Sequence, residues 1–219
     1  MLGDAQASAQ YARDCANVQI YMDQMQRPVV AAVNGFALGG GLEVAIRCHA
    51  IVATKNASFQ FPEIILGILP GIGGCVVPYR KWPQGAALFH EMICLGRPLG
   101  VEEAADVGMV TRIVDDYAAL ISAAVEAVNH LQGKIGGIPD SKIEIPEFKI
   151  SEEPKSGRQV LSKEAVSLTV KVVQEGAATA NFNDALEIGY KGFGEIACTE
   201  AAKEGISAFL EKRPPNFKK

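Results

Sequence analysis

Apolar residues recur along this chain in two different rhythms. Residues 5–26, rich in Ala, Gln and Met, predict a helix, and Arg27-Pro28 ends it because the residue before proline avoids helical angles. Val29–Val33 (VVAAV) is a short β-branched run that predicts a buried strand. After the turn at Asn34-Gly35 come Phe36-Ala37-Leu38-Gly39-Gly40-Gly41, then Leu42–Cys48 as a short helix. Ala50–Ala53 predicts a second strand, and Phe59–Phe61 a third extended piece closed by Pro62-Glu63. Ile64–Gly74 (IILGILPGIGG) reads as a glycine-rich loop with apolar content. Pro83–Leu95 and Val101–Val107 predict helices, Val110–Val114 a strand and Tyr117–Leu131 a further helix.

Beyond Leu131 the rhythm changes. Gly133–Gly157 alternates charged and apolar residues (KIEIPEFKISEEPK) and holds three prolines, which predicts a surface excursion. Leu161–Gln174 and Asp184–Ala197 follow as amphipathic helices, and Ala201–Lys219 starts helical and ends basic (EKRPPNFKK). Strands alternating with helices in the first half, and helices alone in the second, predict an α/β core followed by a helical region. There is no internal repeat.

Composition narrows the function classes. With 219 residues, 48% of them hydrophobic, the chain can bury one large core or two small ones. Its longest apolar runs are broken by Gly and Pro, so no segment has the ~20 unbroken apolar residues of a membrane span. A net charge of −4 argues against nonspecific nucleic-acid binding. The five cysteines, Cys15, Cys48, Cys75, Cys94 and Cys198, have no C-x-x-C spacing and read as reduced thiols of a cytoplasmic chain. The three histidines, His49, His90 and His130, have no ligand spacing, so no metal site is expected. The first residues, MLGDAQASAQYARD, lack the basic start and apolar stretch of a signal peptide.

The segment from Val29 to Glu63 carries the chemistry. A buried strand delivers the chain to three glycines, and a short helix begins there. The first N–H groups of a helix have no intrahelical partner and carry partial positive charge. Glycine lets another atom approach that backbone closely. The pattern offers a donor to an oxygen that becomes negative, although a tight strand-to-helix turn without a ligand has the same spacing. Glu43 falls in the first turn of that helix. Glu63 follows Phe-Pro among Phe59, Phe61, Ile64 and Ile65. A lone glutamate is ordinarily a solvated side chain. Two carboxyls in apolar surroundings raise each other's pKa and can hold and lend one proton. Cys48-His49 and Cys94 do not form a thiol dyad, because adjacent helical residues point to different faces.

Three stretches and the tail, RPVVAAVNGFALGGGLEVAIRC, ASFQFPEIILGILPGIGG, GRPLGVEEAADVGMVTRIV and EGISAFLEKRPPNF, resemble the crotonase (enoyl-CoA hydratase/isomerase) superfamily in the same order. The resemblance covers nearly the whole chain except about 133–158. It implies an α/β fold, a crotonase-like ββα spiral core (incomplete at the N-terminus) with a C-terminal helical region. The division it implies is a partial spiral core with the catalytic motifs over 1–115. Residues 116–219 would be a helical region serving trimerisation and the coenzyme A tail, with the surface excursion at 133–158. It further implies an enoyl-CoA hydratase. Gly40 N–H would be one oxyanion-hole donor, and Glu43 and Glu63 the catalytic carboxylates. Gly39, Gly41, Pro70 and Gly71 would line the thioester and acyl site, and Phe209 and Lys212 would reach the adenine and phosphate end of coenzyme A. Retention of both glutamates favours hydration, since many isomerases of the family keep only the second.

The mechanism implied is attack of a water, held between the two glutamates, on the β-carbon of a trans-2-enoyl-CoA, with α-protonation by the second acid. No cofactor is implied, coenzyme A being part of the substrate. The partners implied are an acyl-CoA thioester and further copies of the chain, as a homotrimer or hexamer, with neither nucleic acid nor membrane. The family's Ala-Gly-Ala/Gly-Asp loop, which gives the other oxyanion N–H, would by alignment end a few residues before Met1. Alternatives are another crotonase-type acyl-CoA enzyme (an isomerase or ring-opening hydrolase) and a truncated module that binds coenzyme A esters without turnover.

Overall fold

The computed structural model of the protein describes residues 3–217. Helix α1 (Ala5–Asp23) leads into β1 (Val30–Val33), β2 (Phe36–Leu38) and α2 (Gly40–Arg47). The next pass lays down β3 (Ala50–Thr54), β4 (Ser58–Gln60) and a 3-10 turn at Pro62–Leu66. The two passes stack in register: Val30 pairs with Ala50 and Phe36 with Ser58, both parallel. Each pass therefore adds one strand to each of two sheets, which is a ββα spiral. All five residues of β3 are buried, as expected of a strand covered on both faces, and this explains its apolar run AIVA.

The core continues through α3 (Val77–Lys81), a 3-10 turn at Pro83–Gly85, α4 (Ala86–Cys94), β5 (Leu99–Gly100), α5 (Val101–Asp106) and β6 (Arg112–Val114). Strand β6 completes the first sheet in the order β1-β3-β6, and β5 pairs antiparallel with β4 in the second, ordered β2-β4-β5. Helix α6 (Tyr117–Leu131) covers the first sheet. A small hairpin, β7 (Lys155–Ser156) with β8 (Gln159–Val160), precedes α7 (Lys163–Ala178), α8 (Phe182–Ile196) and α9 (Glu200–Leu210). One apolar core runs from Ala12 to Ala201, so the spiral and the helical region share it.

Several sequence expectations change, among them strand β2 and the β7–β8 hairpin, which were not expected. Pro83–Leu95 divides into a 3-10 turn and a shorter helix, and the stretch expected to be all loop opens with the 3-10 turn at Pro62–Leu66. Helix α3 was not expected. Its Pro78 occupies the first turn, where a missing N–H costs nothing. The stretch 133–157 runs over the surface, yet Ile138, Ile143, Ile145, Phe148 and Ile150 pack against the core. His90 anchors it. The Tyr79 hydroxyl donates to His90 Nδ1 at 2.9 Å, which leaves Nε2–H to donate to the Pro146 carbonyl at 2.9 Å. Arg80 donates to the carbonyls of Pro139, Gly176, Thr179 and Ala180, tying the same strap to the C-terminal end of α7.

Helix starts show what is particular about α2. Helices α1, α6, α7, α8 and α9 begin on Asp4, Asp116, Ser162, Asn181 and Thr199, whose side chains accept from the N–H three residues on. Helix α2 has Gly39 at that position, with no side chain to do so, and its first helical residue, Gly40, comes two residues earlier than the expected Leu42.

Candidate active site

Gly39 has φ 51°, a left-handed backbone that suits glycine, and its N–H donates to the Gln60 carbonyl at 3.0 Å. This bond fastens the start of α2 to the end of β4. Gly39 is therefore not a spare donor. Gly40, the first helical residue, has no intrahelical acceptor for its N–H and is exposed, and a β-carbon built on Gly40 or Gly41 would meet nothing within 4 Å. Open space in front of an uncapped helix start is where a polarised oxygen fits.

Glu43 lies in the first turn of α2 and is 3% exposed. Its Oε1 accepts from the N–H groups of Ile72 and Gly74, each at 2.8 Å. Burial pushes its pKa up to about 7, against the pull of these two amides and of the Arg47 charge. Glu63 stands in the 3-10 turn directly after Pro62 and is half-buried. Its Oε1 would lie 2.7 Å from a β-carbon on Gly39, and its Oε2 is buried without a hydrogen-bond partner. Burial, and next the Glu43 charge, push its pKa up to about 8; only its own backbone N–H opposes them. The two carboxyls thus flank the glycine start of α2, and the charge of Glu43 bears on Glu63.

The sequence also places Pro70, Gly71, Phe209 and Lys212 at the site. Pro70 and Gly71 are buried, and Gly71 packs on the Phe193 ring of α8, with a β-carbon there 2.7 Å from it. Their stretch acts here through the Ile72 and Gly74 amides that clamp Glu43. Phe209 is 66% exposed, and Lys212, in a left-handed conformation with φ 55°, follows the end of α9. The opposite end of α9 packs on the turn that carries Glu63: a β-carbon on Gly205 would lie 2.1 Å from the Leu66 carbonyl oxygen, and one on Gly67 2.6 Å from that of Ala201.

The clamp at Ile72 and Gly74 left no mark in the sequence, because any residue but proline supplies a backbone N–H. Thiol chemistry has no partner here. His49 Nδ1 accepts from Val29 N–H at 3.0 Å, and burial pushes Cys94 up to about 12. Among the described residues, no three His, Cys, Asp or Glu side chains gather as metal ligands, and no helix is long and apolar enough to cross a membrane.

Residues 1–139 match the family model described as enoyl-CoA hydratase/isomerase. A probable enoyl-CoA hydratase of Bacillus subtilis (strain 168) is 34% identical over 90% of this chain and 65% of its own length. The crotonyl-CoA hydratase of Syntrophomonas wolfei is 33% identical over 90% of this chain and 64% of its own. The chain thus spans just under two thirds of these relatives. In fold it is similar to an enoyl-CoA hydratase from Mycobacterium avium subsp. paratuberculosis K-10, with a TM-score of 0.64 at 20% identity, covering 96% of this chain and 73% of that one.

Proposed function

The chain belongs to the enoyl-CoA hydratase/isomerase family, and we propose that its site hydrates a trans-2-enoyl-CoA. The observation that carries this is the pair of buried carboxyls, Glu43 and Glu63, raised to about 7 and about 8 and set against an uncapped helix start. The thioester oxygen takes the Gly40 N–H, which draws electrons from the double bond and leaves the β-carbon electrophilic. Glu43, the one held by two amide donors, is the carboxylate that takes a proton from water as the water oxygen bonds to the β-carbon. The π electrons pass to the α-carbon, and Glu63, still protonated, delivers its proton there. A proton moving from Glu43 to Glu63 resets the pair.

The Ile72 and Gly74 amides keep Glu43 in one orientation and prefer it charged, which suits a base. Glu63 has no such donors on Oε2 and keeps its proton longer, which suits an acid. In this reading Phe209 and Lys212 meet the nucleotide end of coenzyme A, and the chain works as a homotrimer or hexamer in the cytoplasm. Exposed Phe36, Leu38, Tyr21 and Leu210 support the assembly, and five free cysteines support a reducing compartment. The test is addition of crotonyl-CoA to the purified protein, followed by ultraviolet absorbance of the conjugated thioester. Hydration removes that absorbance. Its persistence, with the thioester bound, would favour a binding module, and release of free coenzyme A a hydrolase.

A further inference from the structure

Helix α2 places Arg47 four residues after Glu43, one turn along the same buried face, at 4% and 3% exposure. Arg47 Nε donates to Asp23 Oδ1 of α1 at 3.2 Å, and Nη2 pairs with Asp23 Oδ2. The guanidinium carbon stands 5.0 Å from the centre of the Phe182 ring of α8. Its remaining nitrogen, Nη1, is buried without a partner, 3.5 Å from where a β-carbon on Gly73 would be. Gly73 joins the two residues whose amides hold Glu43, so the cation stands behind that clamp.

The charges around the pair are few. Glu43 is faced by Glu63 from the 3-10 turn, Cys75 from the loop, Tyr190 from α8 and Arg47 on its own helix. Arg47 is faced by Asp23 from α1, Lys81 and Arg80 from α3 (Arg80 stacked on the same Phe182 ring, at 5.7 Å) and Tyr190 from α8, with Glu187 beyond, bound to Arg13. The Asp23 side chain is 31% exposed and that of Arg47 1%. Water therefore screens the carboxylate more than the guanidinium, and the net field reaching Glu43 through the dry side is positive.

Two neighbouring buried carboxyls with equal surroundings would share a proton without preference. We propose that Arg47 is a positioning residue that deepens the asymmetry the two amides begin: its charge, one helical turn along the same buried face, adds to their pull in making Glu43 the group that ionises first. The inference rests on the hydratase reading for its kinetic consequence, and on the geometry alone for the titration.

The experiment uses the full chain with Arg47→Met, Arg47→Lys and Asp23→Asn. Two readouts are taken: the pH profile of kcat/KM for crotonyl-CoA, and the carboxyl titration of ¹³C-labelled glutamates by NMR, assigned with Glu43→Gln and Glu63→Gln. Arg47→Met should move the Glu43 titration and the acid limb up by about one pH unit, a ~tenfold loss on that limb, and Arg47→Lys should recover most of it. Asp23→Asn, which unmasks the cation, should move both downward, and it decides the matter should Arg47→Met fail to fold. Glu43 titrating alike in all soluble variants would overturn the proposal, as would a loss of rate equal at every pH. If the unsubstituted protein turns over no enoyl thioester, that counts against the hydratase reading, while the NMR shifts still decide the role of Arg47.

Discussion

Glu63 Oε1 lies 2.7 Å from the point that a β-carbon on Gly39 would occupy. One acid of the pair is thereby in contact with the backbone that leads into the Gly40 donor. Gly39→Ala would both strain a backbone at φ 51° and push Glu63 away. We expect hydration to fall by about 10²-fold, as a misplacement of about 1 Å commonly costs, with a stability loss of only about 1–3 kcal/mol. Rates and thermal melting of the same preparation check this. A variant that melts lower but hydrates normally would separate Glu63 from the chemistry.

Glu43→Gln and Glu63→Gln should each lower the hydration of crotonyl-CoA by ~10²–10⁴. Glutamine at 43 can still accept from the Ile72 and Gly74 amides with its Oε1, so the loss should come without unfolding. The double variant should lose far less than the product of the two losses, because in the proposed mechanism the carboxyls act as one unit. Stopped assays on the three variants, with circular dichroism as the control, measure this.

In the proposed mechanism the pair works while holding one proton, and that sets the pH dependence. Activity should be bell-shaped, with limbs near about 7 and about 8, the values to which burial brings Glu43 and Glu63. Stability should move the other way from that of an ordinary salt-bridged acid. Both folded pKa values are raised from 4.5, so the folded state holds protons that the unfolded chain has released. The folded state loses this advantage steadily as pH climbs from about 4.5 to about 8. Glu63→Gln removes a titrating group and should therefore stabilise the fold by about 1–3 kcal/mol at pH 8.5, and not at pH 4.5. Urea midpoints at the two pH values give the sign.

Gly205→Ala should couple the tail to the site. Its β-carbon would meet the Leu66 carbonyl oxygen at 2.1 Å, so α9 must shift off the turn that carries Glu63. Overpacking of this kind costs about 1–3 kcal/mol. Activity should fall with it, whereas Lys203→Ala, on an exposed site of the same helix, should leave both unchanged. Melting curves and initial rates of the two variants separate packing from surface effects.

Much of this was legible from residue patterns. Tyr117–Leu131 has the expected bounds because Asp116 caps it and the apolar stripe runs its full length. Strands β1 and β3 stood out because both are short apolar runs between turn signals. Helix α3 did not, since five residues including Pro78 give no period, and three glycines hid the first turn of α2. The alternation KIEIPEFKI has the period of a strand. Its apolar side is used against the core, but no neighbouring strand pairs with Lys142–Ile150, so it stays irregular. In the site, the two glutamates were visible through their motifs. The backbone clamp on Glu43 was not, and neither was the packing of Gly71 on Phe193 across 122 positions of sequence, a contact that only the folded chain creates.

The clamp also limits how this protein could be re-engineered. Because the Ile72 and Gly74 amides are what point Glu43, inserting or deleting residues anywhere from Leu69 to Cys75 would misdirect that carboxyl. New preferences for longer or bulkier acyl groups would have to come from swaps of side-chain size on a backbone of unchanged length.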